Sequence, residues 1–288
     1  MTQFGRQASV VIGSPGAGGL QISDLRITFN VQKTDGKDPN KAKIQIYNMS
    51  SKSRNLIKRS EEDFADLVYL SAGYRNGASL ENVFIGNISS INNRVEPPNI
   101  VTEIDALDGA KEILERKVSI SFGAGTKASI VLNKVLSAFS IGSDVSNLAS
   151  SSISYANGFS FAGPADSALD KVAKFMGLDW SIQNNAIKFV EADKSDGSRI
   201  VSLNSSTGLI GSPQRLQGVT RKAKGKSAST RPGWKIKALM QPKIVPSGQI
   251  QIESNEIPQN SIFTVSTVTH SGDTFGTDWN SVIEVRET

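Results

Sequence analysis

The sequence predicts a mainly β fold with a small α+β insertion, and three observations carry that prediction. Apolar–polar alternation recurs towards both ends of the chain, as in Leu25–Val31, Ala42–Tyr47 and Ile262–His270. A period of two puts one face of a strand on a core and the other in water. The 25 glycines, with abundant Ser and Asn, supply the turns that such strands need. Sustained helical spacing is confined to the middle, between Thr126 and Gly177. At 288 residues the chain can build two or three cores. The expected division is 1–110, a first β-barrel or split-barrel domain; 111–199, an inserted domain of helices and a hairpin; and 200–288, a second β-barrel domain.

In the first region, Leu25–Val31 and Ala42–Tyr47 read as a hairpin with a long polar tip, Lys33–Lys41, containing Asp-Gly and Asp-Pro-Asn. Asn48-Met-Ser-Ser is an N-cap region for a short helix to about Arg59. Leu67–Gly73, Asn82–Ile91 and Ile100–Leu107 are further strands, so one helix interrupts five or six of them. That ratio suits a small barrel.

The middle region changes period. Thr126–Phe139 places Ile130, Val131, Val135 and Ala138 at helical spacing, with Thr126 as its N-cap. Ser140–Asn157 is Ser-rich and reads as loop. After Pro164, the residues Ala168, Leu169, Val172, Ala173 and Met176 line one helix face, and Gly177 ends it as the C′ residue. Leu178–Ile182 and Ala186–Val190 then form a hairpin about Gln183-Asn184-Asn185, too short to stand without the helices. In the last region, Gly248 opens a turn between Lys243–Val245 and Gln249–Glu253. Ile262–His270 and Trp279–Val285 pair across SGDTFGTD, whose Gly and Asp residues supply turn chemistry.

Composition removes several function classes. No window approaches the run of roughly 18 apolar residues that a membrane-spanning helix needs. The N-terminus has one Arg and only the brief apolar run Ala8–Ile12, which is not the pattern of a signal peptide. With no cysteine there is no disulfide, thiolate metal site or thiol nucleophile, a composition that suits assembly in a reducing cytoplasm. Gly16–Gly19 and Gly123–Gly125 lack the Lys-Ser/Thr of a phosphate loop and read as connections. Glu61–Asp63 reads as a solvated face. His270, Ser271 and Asp273 lie close in sequence at a strand end, whereas a triad must converge in space, so His270 is expected to cap the strand or pack in the turn, donating to a backbone carbonyl. One histidine without cysteine makes no metal site, and Asp273 and Asp278 are expected to form the turn. No catalytic residue, metal or cofactor is assigned.

The net charge of +5 is unevenly spread. Gly197–Ile252 has no carboxylate but ten Arg and Lys, and its densest part is the loop Thr220–Gly233, TRKAKGKSASTRPG. Such a cluster can neutralise phosphates, dock on an acidic protein or simply be solvated. It has no interleaved aromatics on which bases would stack.

Three blocks together resemble a known family. The first is LRITFNVQKTDGKDPNKAKIQIYNMSSKSRNLI followed by DLVYLSAGYRN and ENVFIGNIS. The second is ALDKVAKFMGLDWSIQNNAIKFV. The third runs TGLIGSP, then WKIKALMQPKIVPSGQIQIES, then VTHSGDTFGTDW. In this order they resemble the baseplate hub proteins of long-tailed phages, of the T4-type hub and late control protein D-like kind. The resemblance implies two tube-type barrels around an inserted outer domain, and no enzyme. It implies a structural homotrimer that adapts a six-fold tail tube to a three-fold spike around the DNA channel. The implied partners are the spike or puncturing protein, the tube ring protein, baseplate wedge proteins and the tape measure protein, with DNA passing only transiently. The implied location is the virion tail, assembled in the host bacterial cytoplasm. Two loops are candidate contacts: Lys33, Lys37 and Lys41 on the first tip, and Arg221, Lys222, Lys224, Lys226 and Arg231 on the basic loop. A tube-proximal ring or initiator protein, a basic nucleic-acid-binding β-protein and a polysaccharide-active enzyme remain alternatives.

Overall fold

The computed structural model describes residues 5–13, 19–36, 38–58, 67–75, 80–145, 148, 152–191, 194–196, 200–221 and 229–287. The first stretch contains β1 (Arg6–Ile12), β2 (Leu20–Ile22), β3 (Ile27–Thr34), β4 (Lys41–Tyr47), α1 (Ser51–Lys58), β5 (Leu67–Tyr74), β6 (Glu81–Glu96) and β7 (Asn99–Leu107). The middle contains α2 (Ala110–Glu115), β8 (Lys117–Phe122), β9 (Thr126–Lys127), α3 (Ala128–Leu136), β10 (Gly142–Asp144), β11 (Ser154–Tyr155), β12 (Phe159–Pro164), α4 (Ala165–Met176), β13 (Leu178–Ile182) and β14 (Ala186–Glu191). The last contains β15 (Val201–Leu203), β16 (Leu209–Arg221), β17 (Ser229–Leu239), β18 (Gln249–Ser254), β19 (Ile257–Asp273) and β20 (Trp279–Glu287).

The protein is mainly β, as its alternation predicts. One 13-stranded sheet runs β16-β17-β20-β19-β3-β4-β7-β6-β5-β1-β2, with β18 on β19 and β15 on β18. This ladder is an open path, and among the described residues no pairing closes it into a barrel. The first and last stretches therefore meet edge to edge, through β3 and β19, from Thr34 opposite Thr267 to Thr28 opposite Asp273.

The pairing registers reveal a repeat that side-chain identity does not. In the first stretch, the 16-residue β6 pairs β5 through its first half and β7 through its second. In the last stretch, the 17-residue β19 pairs β18 and then β20 in the same way. Each long strand carries a register shift at the changeover, at Ile88/Ser90 and at Val265/Thr267, so Ser89 and Ser266 are matching bulge residues. The hairpins β3–β4 and β16–β17 complete the two sets. Along β6-β7-β4-β3-β19-β20-β17-β16 every neighbour is antiparallel, so β6 and β19 point the same way, as do β3 and β16. A shift along the sheet relates the two sets; neither is turned over.

Three apolar cores lie under this framework. One joins β1, β3, β4, β5 and β6 with Met49 and Ile57 of the α1 region, and takes Met240 and Trp279 from the last stretch. A second holds the middle residues, from Ile120 to Phe189, and a third lies under β15–β20. In the middle, α3 and α4 cover the β13–β14 hairpin. Gly177 ends α4 in the left-handed conformation, φ 72°, and donates its N–H to the last turn.

Several local expectations change. Lys127 precedes the first turn of α3, while Thr126 is in β9 and its hydroxyl donates to Gly123 O, so it does not cap the helix. Ile130 is about half exposed on α3. The Ser-rich span contributes the short strands β10 and β11. Residues 243–245 form turns ahead of β18 and no strand. The tip after β3 begins later than its polarity suggests, because β3 runs to Thr34 against β19. Strands β16 and β17 likewise extend into the basic loop, to Arg221 and from Ser229. Arg59, Glu61–Asp63 and most of Gly16–Gly19 lie outside the described residues.

Candidate interaction surface

The two halves of the sheet share one polar face across their seam. In β3 the outward residues are Thr28, Asn30, Gln32 and Thr34; they stand opposite Asp273, Ser271, Thr269 and Thr267 of β19. The face continues through Lys41, Lys43 and Gln45 of β4 to Asp105 and Glu103 of β7. On the other side it reaches Val282 and Glu284 of β20, then Lys237 and Lys235 of β17.

Side chains on this face are tied to one another. Asn30 Nδ2 donates to Ser271 Oγ across the seam at 2.9 Å. Thr28 donates to Gln45 at 3.0 Å, and Gln45 donates to Glu103 at 2.9 Å. Lys43 meets the same carboxylate at 2.9 Å. The Lys43 and Gln45 donors hold the Glu103 carboxyl below its usual range, and Glu103 raises Lys43 in return. At the end of the seam, Arg26 grips Asp273 through Nε at 3.2 Å and Nη2 at 2.7 Å. Partial burial opposes ionisation of Asp273, but donors from Arg26 and the Phe275 and Gly276 backbone keep its carboxyl below the usual range. A shallow groove lies here, with Thr28, Asn30, Lys43, Gln45, Ser271 and Asp273 in its lining. Lys43 is paired with Glu103 and Asp273 with Arg26, and among the described residues no nucleophile there is bonded to a base. It is a hydrophilic wall.

Behind the seam, the middle unit is plugged into the sheet. Asn184 and Asn185, both at positive φ (54° and 60°), form the turn between β13 and β14. Their N–H groups donate to Asp108 at 2.7 and 2.8 Å. Asn40 donates to Asp108, Ile182 O and Gln183 Oε1, while Gln183 Nε2 donates to Thr34 O at 2.9 Å. Lys33 Nζ donates to Asn184 Oδ1 at 2.8 Å. Burial pushes the Asp108 carboxyl up, and the donors around it, including the nearby Lys33 charge, oppose that shift. Burial pushes Lys33 down to about 8, against the pull of Asp108.

Lys33 is thus not a reaching residue of an exposed tip: it is 1 % exposed and sits on the inward face with Ile27, Phe29 and Val31. Its position two residues after Val31 in the alternation was the available signal. Lys41 is exposed on the outward face at the start of β4. Lys37, Lys222, Lys224 and Lys226 lie outside the described residues, and Arg221 is described only as the last residue of β16. Arg231 is half-buried on β17 opposite Val219. The structure does not gather the described lysines and arginines into one site. Part of the basic stretch is neutralised from elsewhere: Arg215 meets Glu287 at 2.5 Å and stacks over Trp234, and Lys243 meets Glu81 at 3.4 Å.

His270 is fully buried inside β19, neither capping the strand nor packed in the turn beyond it. Its Nδ1 is hydrogen-bonded to Ser281 Oγ at 2.8 Å, while Ser271 bonds Asn30 and Asp273 bonds Arg26 on the opposite face. Burial, with the Lys33 charge nearby, pushes His270 down to about 3. A neutral imidazole at 0 % exposure, with no carboxylate bonded to it among the described residues, is a packing element. Through the repeat, His270 and Ser281 occupy the places of Asn93 and Thr102, which are themselves bonded at 2.7 Å. Sequence reading missed this pairing because the two pairs share no residue type. Among the described residues there is no group of three or more His, Cys, Asp or Glu suited to a metal, and no helix long and apolar enough to cross a membrane.

The model of a family described as baseplate hub gp41 matches residues 9–267. The chain belongs to the baseplate hub gp41 family. No curated protein matches the sequence. Solved structures similar to this hub-family chain include phage tail proteins and a type VI secretion component. The 43 kDa tail protein of prophage MuSo2 from Shewanella oneidensis is 9 % identical, with a TM-score of 0.61 over 97 % of this chain and 98 % of that one. A tail protein from Neisseria meningitidis MC58 is 10 % identical, with a TM-score of 0.61 over 99 % and 97 %. The E. coli c3393 protein, a type VI secretion component described as similar to T4 tail proteins gp27 and gp5, is 11 % identical, with a TM-score of 0.56 over 91 % and 73 %. At such identities the likeness is one of fold. It covers nearly the whole hub-family chain, including the middle unit.

Proposed function

We propose that this chain is the hub subunit of a phage tail baseplate, three copies of which close into a ring between a six-fold tail tube and a three-fold spike. The observation that carries this reading is the shifted repeat, β3–β7 against β16–β20, with both sets facing the same way. A sheet that grows by such shifts turns in one sense, so three copies present six quasi-equivalent sets while remaining three-fold. Residues 1–110 and 200–288 are then the two tube-type, split-barrel domains, and 111–199 is the outer domain held by the Asn184–Asn185 plug. The polar seam face lines the channel through which DNA passes. Its balanced charges suit a wall that a polyanion slides along without binding. The spike, tube ring, wedge and tape measure proteins are the partners, and the virion tail, assembled in the host cytoplasm, is the location.

Native mass spectrometry of the purified full-length protein, alone and with its spike, tests the reading. Three copies in the ring support it; six identical copies favour a tube-proximal ring or initiator protein instead. Tight, steeply salt-dependent DNA binding would favour the nucleic-acid reading.

A further inference from the structure

A narrow ribbon and a helix leave a ledge of aromatic side chains open on the middle unit. Strand β12 pairs β8 alone, with Phe159 opposite Phe122 and Phe161 opposite Ile120. Two strands cannot close over α4, and all three phenylalanines stay half-buried. The helix adds to the same margin. Its buried face runs from Ala165 to Met176, but Phe175 stands outside that set and is 41 % exposed. Phe175 stacks on Tyr155, with ring centroids 4.0 Å apart and planes at 14°, and Tyr155 leans on Phe159 at 5.0 Å. On the strands of the large sheet, by contrast, every described phenylalanine and tryptophan is buried.

The rim of the ledge is basic. Lys171, one turn before Phe175, holds its ammonium over the Phe161 ring at 4.8 Å. Lys174 is exposed beside Phe175, and Lys127 is exposed on β9 opposite Ser154, the neighbour of Tyr155. Among the described residues none of these three lysines is paired with a carboxylate. The carboxylate of Asp170, on the same helix, is taken by the Trp180 N–H at 2.8 Å.

We propose that this ledge is a docking site for a segment of another protein that carries an aromatic or leucine side chain between carboxylates. Clustered, half-open aromatic rings are where a few side chains can supply most of a binding energy. The unpaired lysines select an acidic partner and repel a second copy of the same surface. Single-stranded nucleic acid fits less well, because Phe175 and Tyr155 close their faces on each other and Lys171 covers Phe161, so bases lack a free stacking platform. None of these residues belongs to a strand of the large sheet or to the Asp108 plug, so the site is independent of how copies assemble.

The test titrates the full chain, by fluorescence anisotropy at low salt, with a fluorescein-labelled peptide whose central Trp-Leu pair is flanked by glutamates. One twin has lysines in place of the glutamates and another has serines in place of Trp-Leu; labelled oligothymidylate is the remaining probe. The glutamate peptide is expected to saturate and to bind roughly tenfold or more tightly than either twin. Phe175→Ala is expected to weaken it by roughly tenfold or more. Lys171→Glu with Lys174→Glu, both exposed on α4, is expected to invert the preference, so that the lysine twin binds better than the glutamate peptide. An unchanged melting temperature establishes that the variants are folded. Absence of saturable binding by the glutamate peptide, or binding that survives both variants, would overturn the proposal. Oligothymidylate that binds more tightly than the glutamate peptide, and is lost with Phe175→Ala, would overturn it in favour of a nucleic-acid surface. The copy number by native mass is read separately, so failure here leaves the hub reading standing.

Discussion

Asp35 and Arg286 meet at 3.0 Å although 251 residues separate them, and both side chains are almost wholly buried. The bulge residue Ser266 points its hydroxyl at the same carboxylate, and its carbonyl accepts from the Asp35 N–H at 3.0 Å. The bulge in β19 thus aims a polar group at the tip of β3, and Arg286 of β20 completes the clasp between the two halves of the sheet. Removing one partner of a buried pair leaves the other charge desolvated and uncompensated. Asp35→Ala is expected to destabilise the protein by about 3–5 kcal/mol, and Asp35→Leu with Arg286→Met by much less. Urea denaturation of both variants checks this; equal losses would mean that packing, not charge pairing, sets the cost.

Lys33 makes stability depend on alkaline pH. Its pKa falls from 10.5 in the open chain to about 8 in the fold, chiefly through burial. Below pH 8 both states are protonated and the fold bears the full cost of a buried ammonium. Between 8 and 10.5 the folded protein releases its proton first, so stability rises with pH and then levels. Tyr74 and Tyr155, raised to about 12 by burial, act in the opposite sense above pH 10. Comparison with Lys33→Met cancels the tyrosines. Relative to that variant, the unsubstituted protein should gain about 2 kcal/mol between pH 8 and 10. Parallel pH-dependent profiles for the two proteins would refute the assignment.

Much of the fold was legible because the alternation is local. The phase of Ile27, Phe29 and Val31 defines the inward face of β3, and the same phase carries Lys33 inward, against its polarity. The helix from Ala165 and its stop at Gly177 follow from spacing and from the left-handed position that glycine tolerates. The junctions were not legible. That β3 pairs β19, or that Asp108 receives the Asn184–Asn185 turn, is a long-range register set by cores and bulges, which single-strand patterns do not encode. The repeat escaped for the same reason. Val95 and Gly272 hold matching places, yet one faces water and the other lies under an aromatic ring.

That ring belongs to Phe29, opposite Gly272 in the seam. A Cβ added at Gly272 would stand 2.3 Å from Phe29 Cζ. Phe29 cannot yield easily, since it is buried and packs edge-on against Trp279 with centroids 5.7 Å apart. Gly272→Ala is therefore expected to cost about 1–3 kcal/mol by overpacking. Pairing it with Phe29→Leu should restore part of the loss, and thermal denaturation of the two variants and their combination measures the coupling.

Asp108 holds the middle unit through two backbone N–H groups and Asn40. Asp108→Ala removes these acceptors together and takes away the carboxylate charge that favours protonated Lys33, a change expected to cost about 2–4 kcal/mol. The loss should be local. Hydrogen exchange should rise first at the β13–β14 turn and the β3–β4 tip, while β17 and β20 stay protected. Uniform exchange throughout the chain would show that the plug is not a separable anchor.

His270 offers the sharpest test of the repeat. Its partner Ser281 accepts from the Gln241 N–H at 3.0 Å and donates to Met240 Sδ at 3.9 Å, so the imidazole is one of three contacts on that hydroxyl. In the matching place Asn93 performs the same task for Thr102, and an amide should therefore serve at position 270. His270→Asn is expected to cost well under the ~2–4 kcal/mol of His270→Ala, which leaves a cavity and a buried hydroxyl with one bond fewer. The pH dependence has a definite sign. A histidine held near 3 in the fold but titrating near 6.5 when unfolded takes its proton first in the open chain, so stability falls as pH drops from about 6.5 towards 3. Both variants should lose that acid sensitivity equally, while only the alanine variant is weak at pH 7. If asparagine and alanine were equally damaging at neutral pH, the buried His270–Ser281 pair and the part-buried Asn93–Thr102 pair would not be equivalent, and the register match on which the repeat stands would need another explanation.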